Sequence, residues 1–207
     1  MVPEFHAVEC GVMTSNKTAP GPATGTATQS ALTRAGMIAV LLGAALPVID
    51  FFIVNVGLPT IQTDLYASTA TLELIVSAYG LAFAVLLVLG GRLGDAFGRR
   101  RLFLLGLALF TLTSLVCGIA PNGATLVLAR AAQGAAAALV MPQVLSIIQA
   151  GTTGERRSRA LGFYGATSGM SSVIGQLLGG LLVAADLWGT ALLAVSLLWY
   201  QVVAVPG

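Results

Sequence analysis

Residues 74–120 read LIVSAYGLAFAVLLVLGGRLGDAFGRRRLFLLGLALFTLTSLVCGIA. Two apolar runs, about 74–91 and 102–120, flank the segment 91–101, which has three glycines, one aspartate and four arginines. At 1.5 Å per residue, roughly 18 apolar residues cross a bilayer. The stretch therefore predicts two membrane helices joined by a basic turn. The rest of the chain repeats the pattern. Of 207 residues, 57% are apolar and only 9% charged, and the mean hydropathy is +0.91. A soluble domain carries about 25% charge. The composition predicts an all-α, polytopic membrane protein and disfavours a soluble enzyme, a nucleic-acid binder and a secreted disulfide scaffold. The cysteines, Cys10 and Cys117, have no metal-like spacing, and the single histidine, His6, lies in the polar tail. No metal cluster and no nucleophile–base pair at membrane depth is visible, so no enzyme and no cofactor is expected.

Outward from this hairpin, residues 1–35 read as a polar, disordered cytoplasmic tail with too little apolar surface to offset ordering entropy. They lack the basic-then-apolar pattern of a signal peptide. The change of texture at Met13 marks it as an alternative start. Residues 36–207 read as a transmembrane half-domain. Its helices are expected at about 36–58, 74–91, 102–120, 124–150, 160–183 and 190–205, the last of them short. Pro47 and Asp50 interrupt the first helix, Pro121-Asn122-Gly123 is a turn, and Pro142 is an expected kink in the fourth.

Nine of the ten basic residues give an orientation. Lys17 and Arg34 precede the first helix. Arg92 and Arg99–Arg101 lie between the second and third, and Arg156, Arg157 and Arg159 between the fourth and fifth. The alternate connections hold Asp64, Glu73 and Asp186 and no basic residue. The one-sided distribution predicts a cytoplasmic amino terminus. The arginine bias, with abundant Ala and Gly, is compatible with a high-GC bacterial genome, and a bacterial plasma membrane is the expected location.

Two charges fall inside apolar runs, Asp50 and Arg130. Such groups are costly in hydrocarbon unless paired or hydrated, and mark functional candidates. Counted from the expected outer helix ends, Asp50 lies about 12 Å deep and Arg130 about 9 Å, so the two are expected at matching depth. Gln133, three residues after Arg130, shares its helix face. Gln176 sits near the middle of the fifth helix. A purely structural ion pair and an inter-helix hydrogen bond are the bland alternatives. In the fifth helix Gly165, Gly169, Gly175 and Gly179 form small-x-x-x-small pairs that suit close helix packing in lipid.

Together these stretches resemble the major facilitator superfamily, in particular its fourteen-helix drug:proton antiporter branch. Ile49-Asp50-Phe51-Phe52-Ile53-Val54-Asn55-Val56-Gly57-Leu58-Pro59 resembles that branch's first-helix motif. Residues 91–102 are similar to the helix 2–3 signature G-x-L-x-D-x-x-G-R-[RK]-x-x, with Ala96 where a basic residue is usual. Leu126 to Gly134 matches the helix 4 motif L-x-x-x-R-x-x-Q-G. Ser171 to Gly180 resembles the helix 5 motif G-x-x-x-G-P-x-x-G-G, with Ser171 for its first glycine and Gln176 for its proline.

The resemblance implies the amino-terminal half of such a fold, six helices in two three-helix inverted repeats, with the sixth incomplete or atypical. It implies a proton and substrate pathway through Asp50, Arg130, Gln133 and Gln176. It also implies a cytoplasmic loop latch of Gly91, Asp95, Gly98, Arg99 and Arg100, and a pliable fifth helix at Gly175, Gly179 and Gly180. The implied function is proton-coupled multidrug efflux of small hydrophobic or cationic drug-like substrates, driven by the proton gradient, with the lipid bilayer as surroundings. A metabolite uptake carrier and a non-transporting fragment are the alternatives. A missing second half is the expected partner, and no nucleic acid is.

The orientation is directly testable. Cysteines substituted at Arg100 and Arg157 should react only with membrane-permeant thiol reagents. Cysteines at Thr69 and Asn122 should react with impermeant reagents added outside cells.

Overall fold

The computed structural model describes residues 33–185, and within them the chain forms five helices. They are α1 (Arg34–Asp64), α2 (Thr69–Phe97), α3 (Arg99–Gly118), α4 (Gly123–Gly151) and α5 (Gly154–Ala184). Each is long and apolar enough to cross a membrane. Most of the polar tail and the expected sixth helix at 190–205 lie outside the described residues.

Helix is the outcome that hydrocarbon enforces, because backbone groups there must bond within their own segment. The starts of α1, α2 and α4 are set by side chains that satisfy the first free N–H groups. Thr33 Oγ1 accepts from Gly36 N at 3.1 Å, Ser68 Oγ from Thr71 N at 3.2 Å, and Asn122 Oδ1 from Thr125 N at 2.9 Å. Pro47 and Pro59 lie inside α1 and Pro142 inside α4. Each proline removes a backbone donor, yet α4 continues through Pro142 without a break.

The helices are longer than hydropathy alone predicts, which corrects several expected connections. The basic segment 91–101 is not a loop. α2 carries Gly91, Arg92, Gly94 and Asp95, and α3 begins at Arg99. The break is one residue, Gly98, at φ 97°, a conformation that glycine adopts without a side-chain penalty. α1 ends at Asp64 rather than near residue 58, Glu73 is in α2, and Arg156, Arg157 and Arg159 are in α5. Hydropathy reports only the hydrocarbon-embedded part of a helix. Capped polar turns beyond it stay helical and leave no apolar signal.

Packing groups the helices into two sets. α4 packs extensively against α2 and α3, and α5 packs against α1. Glycines let backbones meet within each set. A Cβ at Gly90 of α2 would meet the Ala138 carbonyl of α4, and one at Gly134 of α4 would meet the Tyr79 carbonyl of α2. A Cβ at Gly175 of α5 would lie 2.8 Å from the Ile49 carbonyl of α1, and one at Gly179 would lie 3.2 Å from Ile53 Cα. The other expected small-residue contacts are not made among the described residues, since Gly165 and Gly169 have nothing within 4 Å of an added Cβ, and neither has Gly180. α1 meets α3 and α4 through apolar side chains, with Val40, Ala44 and Leu46 packed among Phe103, Phe110 and Val140.

These contacts predict opposite outcomes for one substitution type. Gly90→Ala and Gly134→Ala force backbone apart, and should destabilise by about 1–3 kcal/mol. Gly169→Ala and Gly180→Ala meet open space and should be neutral, or gain up to about 1 kcal/mol of helix propensity. Thermal unfolding in detergent checks both pairs.

Candidate functional site

The first three residues singled out at membrane depth come together. Asp50 of α1, and Arg130 and Gln133 of α4, are all buried, Arg130 and Gln133 completely. Arg130 Nη1 donates to Asp50 Oδ2 at 2.7 Å and to Gln133 Oε1 at 2.6 Å. Gln133 Nε2 donates to Asp50 Oδ1 at 2.9 Å. The three-residue spacing on α4 puts Arg130 and Gln133 on one helix face, so the two side chains address both oxygens of one carboxylate. Ser114 of α3 adds a longer donation to Asp50 Oδ1 at 3.5 Å, and Cys117 Sγ lies 3.6 Å from Gln133 Oε1.

The ends of the helices are staggered about this site. Asp50 lies fourteen residues from the end of α1 and Arg130 seven from the start of α4, about 21 Å and 10 Å along their axes. The pair meets because α1 overhangs, by the residues after 58 that the sequence reading left out of the helix.

Tyr79 of α2 completes the enclosure. Its buried ring lies under Arg130, with the guanidinium Cζ 4.2 Å from the ring centroid. A desolvated cation gains from the negative face of a ring. Arg130 Nε and Nη2 have no hydrogen-bond partner among the described residues, so the ring is their principal neighbour. The sequence reading missed Tyr79, Ser114 and Cys117. A tyrosine and a serine within apolar runs carry no mark of which neighbour they face. A polar residue amid apolar ones was the only available signal.

At the opposite, arginine-bearing end the segment around Gly98 forms a second polar cluster. Arg99 donates to Asp95 Oδ1 from Nε at 3.2 Å and from Nη2 at 3.0 Å, and from Nη1 to the Ser146 carbonyl of α4 at 3.1 Å. The Asp95–Arg99 pair is exposed and by itself contributes at most about 1 kcal/mol. Its geometric effect is to tie the α2–α3 corner to α4. Gly91 faces Pro142, and Arg100 is exposed. Gln143 of α4, also missed, donates from Nε2 to the Gly90 carbonyl at 2.8 Å in a buried position. A residue larger than Gly94 would displace it.

The remaining singled-out residues are on α5. Gly175 and Gly179 face α1, Gly180 faces open space, and Gln176 is exposed. Gln176 therefore stands outside the buried cluster at Asp50.

With this geometry in hand, comparison with known proteins is informative. A family model described as Major Facilitator Superfamily matches residues 40–204. The chain belongs to the major facilitator superfamily. It is 47% identical over 149 residues to the puromycin resistance protein pur8 of Streptomyces alboniger, covering 71% of this chain and 29% of that protein. It is 40% identical over 162 residues to a probable actinorhodin transporter of Streptomyces coelicolor, covering 78% of this chain and 28% of that protein. This superfamily member thus spans less than a third of the length of these relatives. The fold resembles a crystal structure of a bacterial homologue of the human lysosomal transporter Spinster, in an inward-facing, unoccupied conformation. The TM-score is 0.72 at 21% identity, with 82% of this chain and 41% of that one covered. Family and apolar helices together make this superfamily chain part of a multi-pass membrane protein.

The buried cluster predicts a stability pattern. Asp50→Leu leaves the Arg130 guanidinium without its counter-ion and should destabilise by about 3–5 kcal/mol. Asp50→Leu combined with Arg130→Met removes both charges and should recover most of that loss. Thermal unfolding of the purified single and double variants measures the difference.

Proposed function

We propose that the transporter to which this chain belongs exports drug-like molecules across a bacterial plasma membrane in exchange for protons. Two relatives named for puromycin resistance and actinorhodin transport support an exporter. The observation that carries the proton coupling is Asp50, the one buried carboxylate among the described residues, held by Arg130 and Gln133.

The chemistry follows from the donors. An ionised Asp50 accepts from Arg130 Nη1 on one oxygen and from Gln133 Nε2 on the other. Protonation cancels the charge opposite Arg130 and puts an O–H donor where the N–H donors of Arg130 and Gln133 face it. The two protonation states therefore favour two arrangements of α1 against α4. A carrier that opens alternately to the two sides loads the proton in one arrangement and releases it in the other. The proton gradient then drives substrate the opposite way, with no cofactor.

The other residues take supporting roles in this proposal. Asp95, Arg99 and the Ser146 carbonyl act as a latch at the cytoplasmic end. Gly98 permits its close turn, Gly91 sets α2 beside Pro142 of α4, and Arg100 anchors that end to the membrane surface. Gly175 and Gly179 allow α5 to move closely along α1, and Gly180 and the exposed Gln176 line the substrate path. The exposed faces meet a second half of the transporter.

The test is gradient-driven efflux by the complete carrier, divided by the amount of protein in the membrane. Asp50→Asn should abolish it while drug still equilibrates down its own gradient, because the shape remains and the titrating group is gone. Arg130→Lys should also fail, because a compact, strongly hydrated ammonium does not reproduce the guanidinium that lies over the Tyr79 ring. Normal efflux per molecule with Asp50→Asn would remove Asp50 from the mechanism. Losses fully matched by lost protein would reduce the pair to a structural one.

A further inference from the structure

One side of the buried carboxylate is served by α3. Among the buried residues of that helix, Phe103, Leu107, Phe110, Ser114 and Cys117 follow one another at steps of four and three, the repeat of a single helix face. Phe103, Leu107 and Phe110 pack among apolar residues of α1 and α4. Ser114 and Cys117 continue the same face with a hydroxyl and a thiol. Ser114 is fully buried with Oγ 3.5 Å from Asp50 Oδ1, and Cys117 Sγ lies 3.6 Å from Gln133 Oε1. Their three-residue step matches that of Arg130 and Gln133 on α4, so two helices each address the carboxylate cluster with a pair of side chains.

The two pairs differ in chemistry. Arg130 Nη1 and Gln133 Nε2 can only donate, and they bond Oδ2 at 2.7 Å and Oδ1 at 2.9 Å. Gln133 Oε1 can accept, but it already holds Arg130 Nη1 at 2.6 Å and the Cys117 thiol. Of the side chains bonded to the carboxylate, Ser114 is the one whose rotating hydroxyl can either donate or accept. Its contact with the ionised group is long, so the carboxylate gains little from it. We propose that Ser114 is the hydrogen-bond acceptor of protonated Asp50, which makes α3 the helix that holds α1 in the proton-loaded state. This rests on the proton-exchange reading and names a further residue for it.

The step needs only a proton from water. The proton adds to Asp50 Oδ1 and the carboxyl becomes neutral. Oδ1 keeps a lone pair for Gln133 Nε2, and its new O–H turns to Ser114 Oγ. The Ser114 hydrogen leaves Oδ1 and turns to a carbonyl one turn back on its own helix. Thr111 and Thr113 of α3 already bond in this way, to the Leu107 carbonyl at 3.0 Å and the Leu109 carbonyl at 2.8 Å. An O–H···O bond settles at about 2.7–2.8 Å, so the 3.5 Å gap closes while the attraction to Arg130 is lost. α1 passes from the grip of α4 toward that of α3, and release of the proton reverses the move. The remaining groups around the carboxylate are Tyr79 of α2, which covers Arg130, and Cys117 of α3, which bonds Gln133. From α5, Gly175 packs on the adjacent backbone at Ile49 and brings no titratable group.

The full chain, purified into lipid nanodiscs, is titrated with acid under infrared difference spectroscopy. The carboxylic C=O band of protonated Asp50 is assigned by its loss in Asp50→Asn. Ser114→Ala should move that band to higher frequency, because the carboxyl O–H has lost its acceptor. It should also weaken proton affinity about fivefold, the worth of one neutral hydrogen bond, so that the band appears at lower pH. Ser114→Thr keeps a hydroxyl and should restore both. Cys117→Ala, on the same face but bonded to Gln133 instead, should leave the frequency unchanged. A Ser114 that only donates to the carboxylate predicts the opposite sign, a band that appears at higher pH in Ser114→Ala. A Ser114 that only fills space predicts an unchanged frequency. Either result overturns the proposal, as does a Ser114→Thr that behaves like Ser114→Ala. The two readings fail separately. A parent chain with no Asp50 band at any pH overturns the proton-exchange reading as well, whereas a titrating band indifferent to Ser114 removes only the part given to α3.

Discussion

A carboxylate and a guanidinium buried against each other constrain everything around them. Neither Asp50 nor Arg130 reaches solvent appreciably, and removing either partner leaves a charge that costs several kcal/mol. The pair therefore sets the axial position of α1 against α4. Gln133 narrows the choice further, because it occupies the second carboxylate oxygen from the same face of α4. Ser114 brings α3 into the same register, and Tyr79 brings α2 by covering the guanidinium.

The glycines serve that constraint. For Tyr79 to lie over Arg130, α2 and α4 must approach to backbone contact, and Gly134 meets the Tyr79 carbonyl at that level. Gly90 and Gly94 continue the same seam toward the arginine-bearing end, where Gln143 bonds the Gly90 carbonyl. Gly175 holds α5 against the α1 backbone one residue before Asp50. In lipid, where apolar side chains gain little by leaving hydrocarbon for one another, close approach and internal hydrogen bonds are what hold helices together. The contacts concentrate where these two devices coincide.

Much of this was legible in one dimension. Apolar runs of spanning length announced helices, because hydrocarbon leaves the backbone no alternative. A charge inside such a run must find a partner. Asp50 and Arg130 were the two so placed, and Gln133 followed from its three-residue spacing. Other features were not legible. The basic segment at 91–101 reads as a loop by composition, yet all but Gly98 is helical, because polar turns bonded along their own backbone persist outside the hydrocarbon. Gln176 reads like Gln133, a glutamine within an apolar run, yet one is exposed and the other fully buried.

By itself, then, the sequence determined the helical class and the charged pair, which follow from what each residue costs in hydrocarbon, and the family, which follows from its motifs. Only the tertiary structure decided which faces meet. It chose Tyr79 to cover Arg130, Ser114 to reach Asp50 and Gln143 to clip α2, and it left Gly165 and Gly169 without the contacts their spacing suggested. The reason is that spacing fixes the face of a helix on which a residue lies, whereas the rotation and overhang of each helix against its neighbours arise from all their contacts at once.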